Sequence, residues 1–87
     1  MEPIKTTAVN LTASALVKTG AGTLVGMYVN STSAGTIKFW DNTAGSGTVI
    51  NNTITPAIGY HPLGGGGFTT GLYATIGGTL NVTLYYV

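Results

Sequence analysis

The ionisable residues of this chain are few enough to be weighed one at a time. His61 is the only histidine, Glu2 and Asp41 are the only carboxylates, Lys5, Lys18 and Lys38 are the only cations, and cysteine is absent. A metal ion wants three or four N, S or O ligands. One imidazole and two carboxylates far apart in sequence do not supply them, unless His61 from each of several subunits meets on a symmetry axis. His61 therefore reads as a structural or surface histidine beside Pro62. Asp41 ends an apolar run and opens Asn42-Thr43, a place where aspartate hydrogen-bonds the backbone of a turn. Calcium would require companion carboxylates. Glycoside hydrolysis needs a carboxylate pair, and Glu2 near the start of the chain is no partner for Asp41. Nucleophilic catalysis needs a hydroxyl, a base and an orienting acid brought together, and no spacing here joins them. The expectation is a protein that is not an enzyme, with no catalytic residue, no cofactor and no metal.

Gly64-Gly65-Gly66-Gly67 has the composition of a phosphate cradle but lacks the Gly-Lys-Ser/Thr ending and the helix that follow one. It reads as a flexible loop. Four Asn-x-Ser/Thr triplets, at Asn10, Asn30, Asn51 and Asn81, are expected by chance in a chain rich in Thr and Asn. The aromatic residues are the stronger signal. Strand alternation places Tyr28, Trp40 and Tyr85 away from the apolar rows, and Tyr86 follows directly. Tyr28, Trp40, Tyr85 and Tyr86 are thus the candidate interface residues. Exposed aromatics on a sheet pack across strands, bury in a subunit contact, or stack on sugars. In the last case Trp40, Tyr28 or Tyr73 would form the platform.

These side chains have to be carried by strands. Thr, Val, Ile and Tyr suit a pleated, half-buried surface, and no window holds a helical apolar stripe. Gly-Thr followed by an apolar residue recurs at Gly22, Gly35, Gly47 and Gly78, each reading as a turn glycine before a strand start. Strands are expected near 5–12, 14–19, 22–30, 35–42, 47–55, 57–61, 69–76 and 79–87. Pro56 and Pro62 bracket 57–61, which suits an edge strand or a loop crossing. A hairpin looping at 31–35 would set Val29 against Ile37 and Met27 against Phe39 as a core face. Tyr28 would then oppose Lys38, and Trp40 would lie over Gly26. A second hairpin turning at 42–47 would bring Ile50 opposite Phe39. A bulged loop at Gly77-Gly78-Thr79 would pair Ile76 with Leu80, keep Leu72, Ala74, Ile76, Leu80, Val82 and Leu84 in the core, and put Gly78 at positive φ. The last strand, running to Val87, would offer a free edge.

The fold class that follows is all-β: a single antiparallel β-sandwich of jelly-roll type, with about seven or eight strands in one domain spanning 1–87. Only 6% of the 87 residues are charged, against 44% hydrophobic, with 16 Thr and 14 Gly and neither Arg nor Gln. Disorder needs the reverse balance. Phosphate-backbone binding needs clustered cations, so no nucleic-acid partner is expected. No apolar run approaches the ~18 residues of a membrane span, and the N-terminus lacks the features of a secretion signal.

The strings Gly-Thr-Ile-Lys-Phe-Trp-Asp-Asn-Thr (35–43), Ser-Gly-Thr-Val-Ile (46–50), Phe-Thr-Thr-Gly-Leu-Tyr-Ala-Thr-Ile-Gly-Gly (68–78) and Asn-Val-Thr-Leu-Tyr-Tyr (81–86) resemble small Thr/Gly-rich bacteriophage virion structural proteins. The likeness runs from about Gly20 to the C-terminus. It implies a capsid decoration or cement role, or a tail accessory role, in a particle built in the host cytoplasm. Five charged residues in 87 and outward aromatics predict a homo-oligomer with no membrane partner. The resemblance favours a trimer, with a dimer second, and implies contact with a phage capsid or tail protein. The alternatives are a lectin-like carbohydrate-binding module using exposed aromatics and, from a mean hydropathy of +0.36, one subunit of an oligomeric β-pore.

Overall fold

The computed structural model describes residues 5–87; among them, alternating apolar and polar residues, rich in β-branched and aromatic types, build six antiparallel strands with no helix. They are β1 (Thr7–Leu11), β2 (Ala15–Thr19), β3 (Gly22–Asp41), β4 (Thr48–Ile54), β5 (Gly59–Phe68) and β6 (Gly71–Tyr86). The all-β antiparallel expectation is met. The expectations for Glu2 fall outside the described residues.

β3 and β6 run antiparallel along almost their whole lengths, from Leu24 opposite Tyr86 to Trp40 opposite Tyr73. Each bends in the middle. The first half of β3 and the second half of β6 carry β5 and β1 at their flanks, giving the order β1-β6-β3-β5. The other halves carry β4 and β2, giving β2-β6-β3-β4. Six continuous strands thus supply eight arms in two layers. One core lies between them, since Leu24, Met27, Val29, Val82 and Leu84 from the first layer and Ile37, Phe39, Leu72 and Ala74 from the second are all 0% exposed. A single open sheet would leave such a row against water on one side. The 17 Å thin dimension fits two stacked layers, which pack ~10 Å apart.

The bend corrects two expected hairpins. Residues 31–35 are not a loop between two strands that pair with each other, and Gly77-Gly78-Thr79 is not one either. The two stretches pair across from one another, Ser33 with Thr79 and Thr36 with Gly77. Val29 therefore faces Val82 and Ile37 faces Ile76, while Met27 faces Leu84 and Phe39 faces Ala74. Ile76 does not meet Leu80, nor Tyr28 Lys38. The core face itself is as expected, because alternation fixes a residue's side of the sheet whatever its partner. Gly78 does sit at φ 65°, and Ala34 across from it at φ 53°. Side chains complete the backbone bonding here: the Thr32 hydroxyl accepts the Gly35 N–H at 3.1 Å, and the Ser14 hydroxyl accepts that of Ile76 at 2.8 Å. Of the four Gly-Thr pairs, those at Gly22 and Gly47 mark strand starts and those at Gly35 and Gly78 mark the bends.

Three smaller corrections follow from the pairing. The turn at 42–47 does join β3 to β4, but with register shifts that set Asn51, not Ile50, opposite Phe39. Gly64–Gly67 belongs to strand β5, which flanks β3 and begins at Gly59. The C-terminal arm of β6 is central, held between β1 and β3, so it presents no free edge.

Candidate functional site

The candidate aromatics do not form one surface. Tyr28 and Tyr85 stand on the outer face of the β1-β6-β3-β5 layer, because their neighbours Met27, Val29 and Leu84 fill the core. Trp40 stands on the outer face of the other layer. Tyr86 turns inward and packs against the core cluster. Trp40 is held by its own sheet: its indole N–H donates to the Thr75 hydroxyl at 2.9 Å, and the Lys38 ammonium lies 4.2 Å from its ring centroid. Tyr73, beside it, packs against the 42–47 turn at Gly45.

The face carrying Tyr28 and Tyr85 is built in rows. In one, Pro62 of β5, Gly26 of β3, Tyr85 of β6 and Ala8 of β1 lie side by side; in the next, Tyr60, Tyr28, Thr83 and Asn10. Gly26 has no side chain, and the Tyr60 ring occupies the space where its Cβ would stand. Tyr60 thereby reaches Tyr85, with ring centroids 6.3 Å apart and planes at 53°. The expected aromatic over Gly26 is present, but it is Tyr60 and not Trp40. Tyr60 escaped the sequence reading because β5 was truncated there at Pro62, so its partner strand was not assigned. Tyr60 is 51% exposed and Tyr28 43%.

Beside the rings lies a set of side-chain amides. Asn81 Oδ1 accepts from Asn10 Nδ2 at 2.8 Å and from Asn30 Nδ2 at 3.1 Å. The Thr83 hydroxyl accepts from the same two groups at 3.4 and 3.2 Å. Three of the four Asn-x-Ser/Thr triplets thus contribute their asparagines to one patch. The spacing has a strand explanation, since residues i and i+2 share a face, so Asn81 and Thr83 point the same way. No Lys, Asp or Glu occurs in β1, in β5, at 22–30 of β3 or at 79–86 of β6.

Asp41 works at a different turn from the one expected. Its carboxylate accepts the backbone N–H groups of Thr70 at 2.9 Å, Thr69 at 3.1 Å and Gly71 at 3.3 Å, closing the β5–β6 connection. The 42–47 turn is ordered instead by Asn42, which donates to Ser46 O at 2.7 Å and accepts the Thr43 N–H at 2.8 Å. The N–H of Thr70 and then that of Thr69 hold the Asp41 carboxyl below its ordinary value of 3.8, against some opposing desolvation. Between the folded and unfolded values the unfolded chain binds more protons, so stability rises with pH there. The contribution is complete above the ordinary carboxylate range and lost as pH falls through the lowered folded value. In urea titrations the wild type should therefore weaken on acidification below about pH 4, whereas Asp41→Asn should be weaker at neutral pH and flatter, with the gap closing in acid. A constant gap would show that the carboxylate charge is not what binds these N–H groups.

His61 contacts Ala57 O through Nε2 at 2.7 Å. Among the described residues no three His, Cys, Asp or Glu side chains converge and no pocket opens. Comparison with known proteins gives no match to a family model, to a curated protein or to a solved structure. The likeness to phage virion proteins rests on the strand-and-turn strings alone.

Proposed function

We propose that this protein is a non-enzymatic structural subunit that acts by protein–protein contact, as a capsid decoration, cement or tail accessory component of a phage virion. The observation that carries the reading is the β4 edge. Among the described residues β4 pairs with β3 on one side only. It contains neither charge nor proline, and it carries the exposed side chains Val49 and Ile54, with Ile58, 65% exposed, just beyond it. Unpaired strand edges invite pairing with another chain, and monomeric proteins blunt them with charge or proline. By contrast β5 has Pro62, β2 has Lys18 with a register shift, and β1, though uncharged and free of proline, is only 5 residues long. The layer orders β1-β6-β3-β5 and β2-β6-β3-β4 support reading the antiparallel sandwich as a jelly roll, an architecture of viral capsid proteins and of lectins. That support is an analogy of fold.

The expected form is a homo-oligomer, trimer first and dimer second, joined through β4. Light scattering coupled to size exclusion at micromolar concentration should give a mass that is a multiple of 8.8 kDa. Val49→Lys combined with Ile54→Lys should return it to the monomer with the fold intact. A wild-type monomer, or an oligomer unaffected by the double change, removes this reading. The genes beside its own are expected to encode capsid, portal or tail proteins.

A further inference from the structure

We infer that the outer face of the β1-β6-β3-β5 layer is a binding platform for a neutral carbohydrate, with Tyr60, Tyr28 and Tyr85 as its stacking surface and Asn10, Asn30 and Asn81 as its polar contacts. Each part of the face matches one feature of a sugar. A pyranose presents a patch of C–H groups on one side, whose slightly positive hydrogens settle on the electron-rich face of an aromatic ring. Tyr60 offers such a face because Gly26 lets the ring lie down on the strand instead of standing up from it. Half of its surface remains open to solvent in that posture. Ring hydroxyls of a sugar are each donor and acceptor, and planar amides answer both.

The amides are already oriented. Asn81 Oδ1 is occupied by Asn10 and Asn30, which leaves Asn81 Nδ2 as its remaining donor. Asn10 and Asn30 spend their Nδ2 groups on Asn81 and Thr83, leaving their Oδ1 atoms as acceptors. Among the described residues none of these three groups has a protein partner. A ligand therefore meets fixed groups and pays little to order them. The absence of Lys, Asp and Glu from β1, β5, 22–30 of β3 and 79–86 of β6 selects a neutral ligand over an acidic one, since a sialylated or sulfated glycan would find no counter-charge on these segments. The β4 edge lies in the other layer, so this site and the assembly contact proposed above occupy different surfaces.

The test is a heteronuclear NMR titration of the intact protein with chitohexaose, cellohexaose, maltohexaose and mannohexaose in turn. At least one should move the ring signals of Tyr28, Tyr60 and Tyr85 and the side-chain amide of Asn81, with millimolar affinity or better. Gly26→Ala introduces a methyl where the Tyr60 ring lies. The ring is the movable partner in that contact, so this variant should fold, lift the ring and lose about tenfold in affinity, as should Tyr60→Ala. Trp40→Ala should bind as wild type. The Val49→Lys, Ile54→Lys variant should bind as well, so loss of assembly and loss of sugar binding are read separately. The proposal is overturned by no response to any of the four sugars at millimolar concentration, or by shifts at Trp40 and Tyr73 instead. It is also overturned if the tyrosine signals move with protein concentration alone, which would make the face a contact between copies.

Discussion

Gly78→Val should destabilise the domain by ~3 kcal/mol or more, adding the ~1–3 kcal/mol of a side chain forced into a left-handed backbone to the cost of overlap in a packed site. Gly78 has φ 65°, and a Cβ there would run into the Ala34 carbonyl oxygen while standing 3.0 Å from its carbon and 3.2 Å from Gly35 Cα. All three are backbone atoms of the opposing bend, so no side chain can swing aside. Relief would need β3 and β6 to separate where both cross from one layer to the other. Thr79→Ser, at an exposed neighbour, should stay within ~0.5 kcal/mol. Urea midpoints for both variants check this. A Gly78→Val protein with a wild-type midpoint would mean that the bend does not hold the two strands at this height.

Which residues face the core was legible in the sequence, and which strands pair was not. Alternation by two gives Met27, Val29, Ile37 and Phe39 a common side in one strand and Leu72, Ala74, Leu80, Val82 and Leu84 a common side in another with no knowledge of partners, and all are buried. Leu24 is buried too, but only because the register shift between Leu24 and Gly26 changes the phase of alternation. The stretch 31–35 and Gly77-Gly78 carry the chemistry of a hairpin loop, but a bend inside a long strand makes the same demand for small residues and positive φ. Only the match in height between the two bends, Ser33 opposite Thr79 and Thr36 opposite Gly77, distinguishes the cases, and that is a long-range fact. The surface fared likewise. Tyr28 and Tyr85 were correctly turned outward, but their companion Tyr60 depends on the pairing of β5 with β3. The Asn-x-Thr triplets looked accidental until three separate strands brought their asparagines together. Asp41 sits at a strand end as read, yet its N–H donors lie 28 to 30 positions away in sequence.

Phe39→Ala should be the most damaging of the simple truncations, at ~3–5 kcal/mol. Phe39 is completely buried and is the largest side chain in that condition. It lies between Ala74 of β6 and Asn51 of β4 in the register, and its ring belongs to the same buried cluster as Ala74. The walls of the resulting cavity belong to paired strands on both sides of β3, which limits collapse. A domain of this size is stable by only ~4–13 kcal/mol in total, so the loss is a large fraction of what holds the two layers together. The urea midpoint should fall steeply with an unchanged slope, while Phe39→Leu, which keeps most of the volume, should lose only ~1 kcal/mol. Trp40, the next residue, stands on the opposite face, and its bond to Thr75 depends on β3 keeping its register with β6. Indole fluorescence should therefore report the same transition as the backbone circular dichroism. A Phe39→Ala protein that kept the wild-type midpoint would mean that the second layer is not packed on the first through this ring, and the two-layer core described above would have to be abandoned.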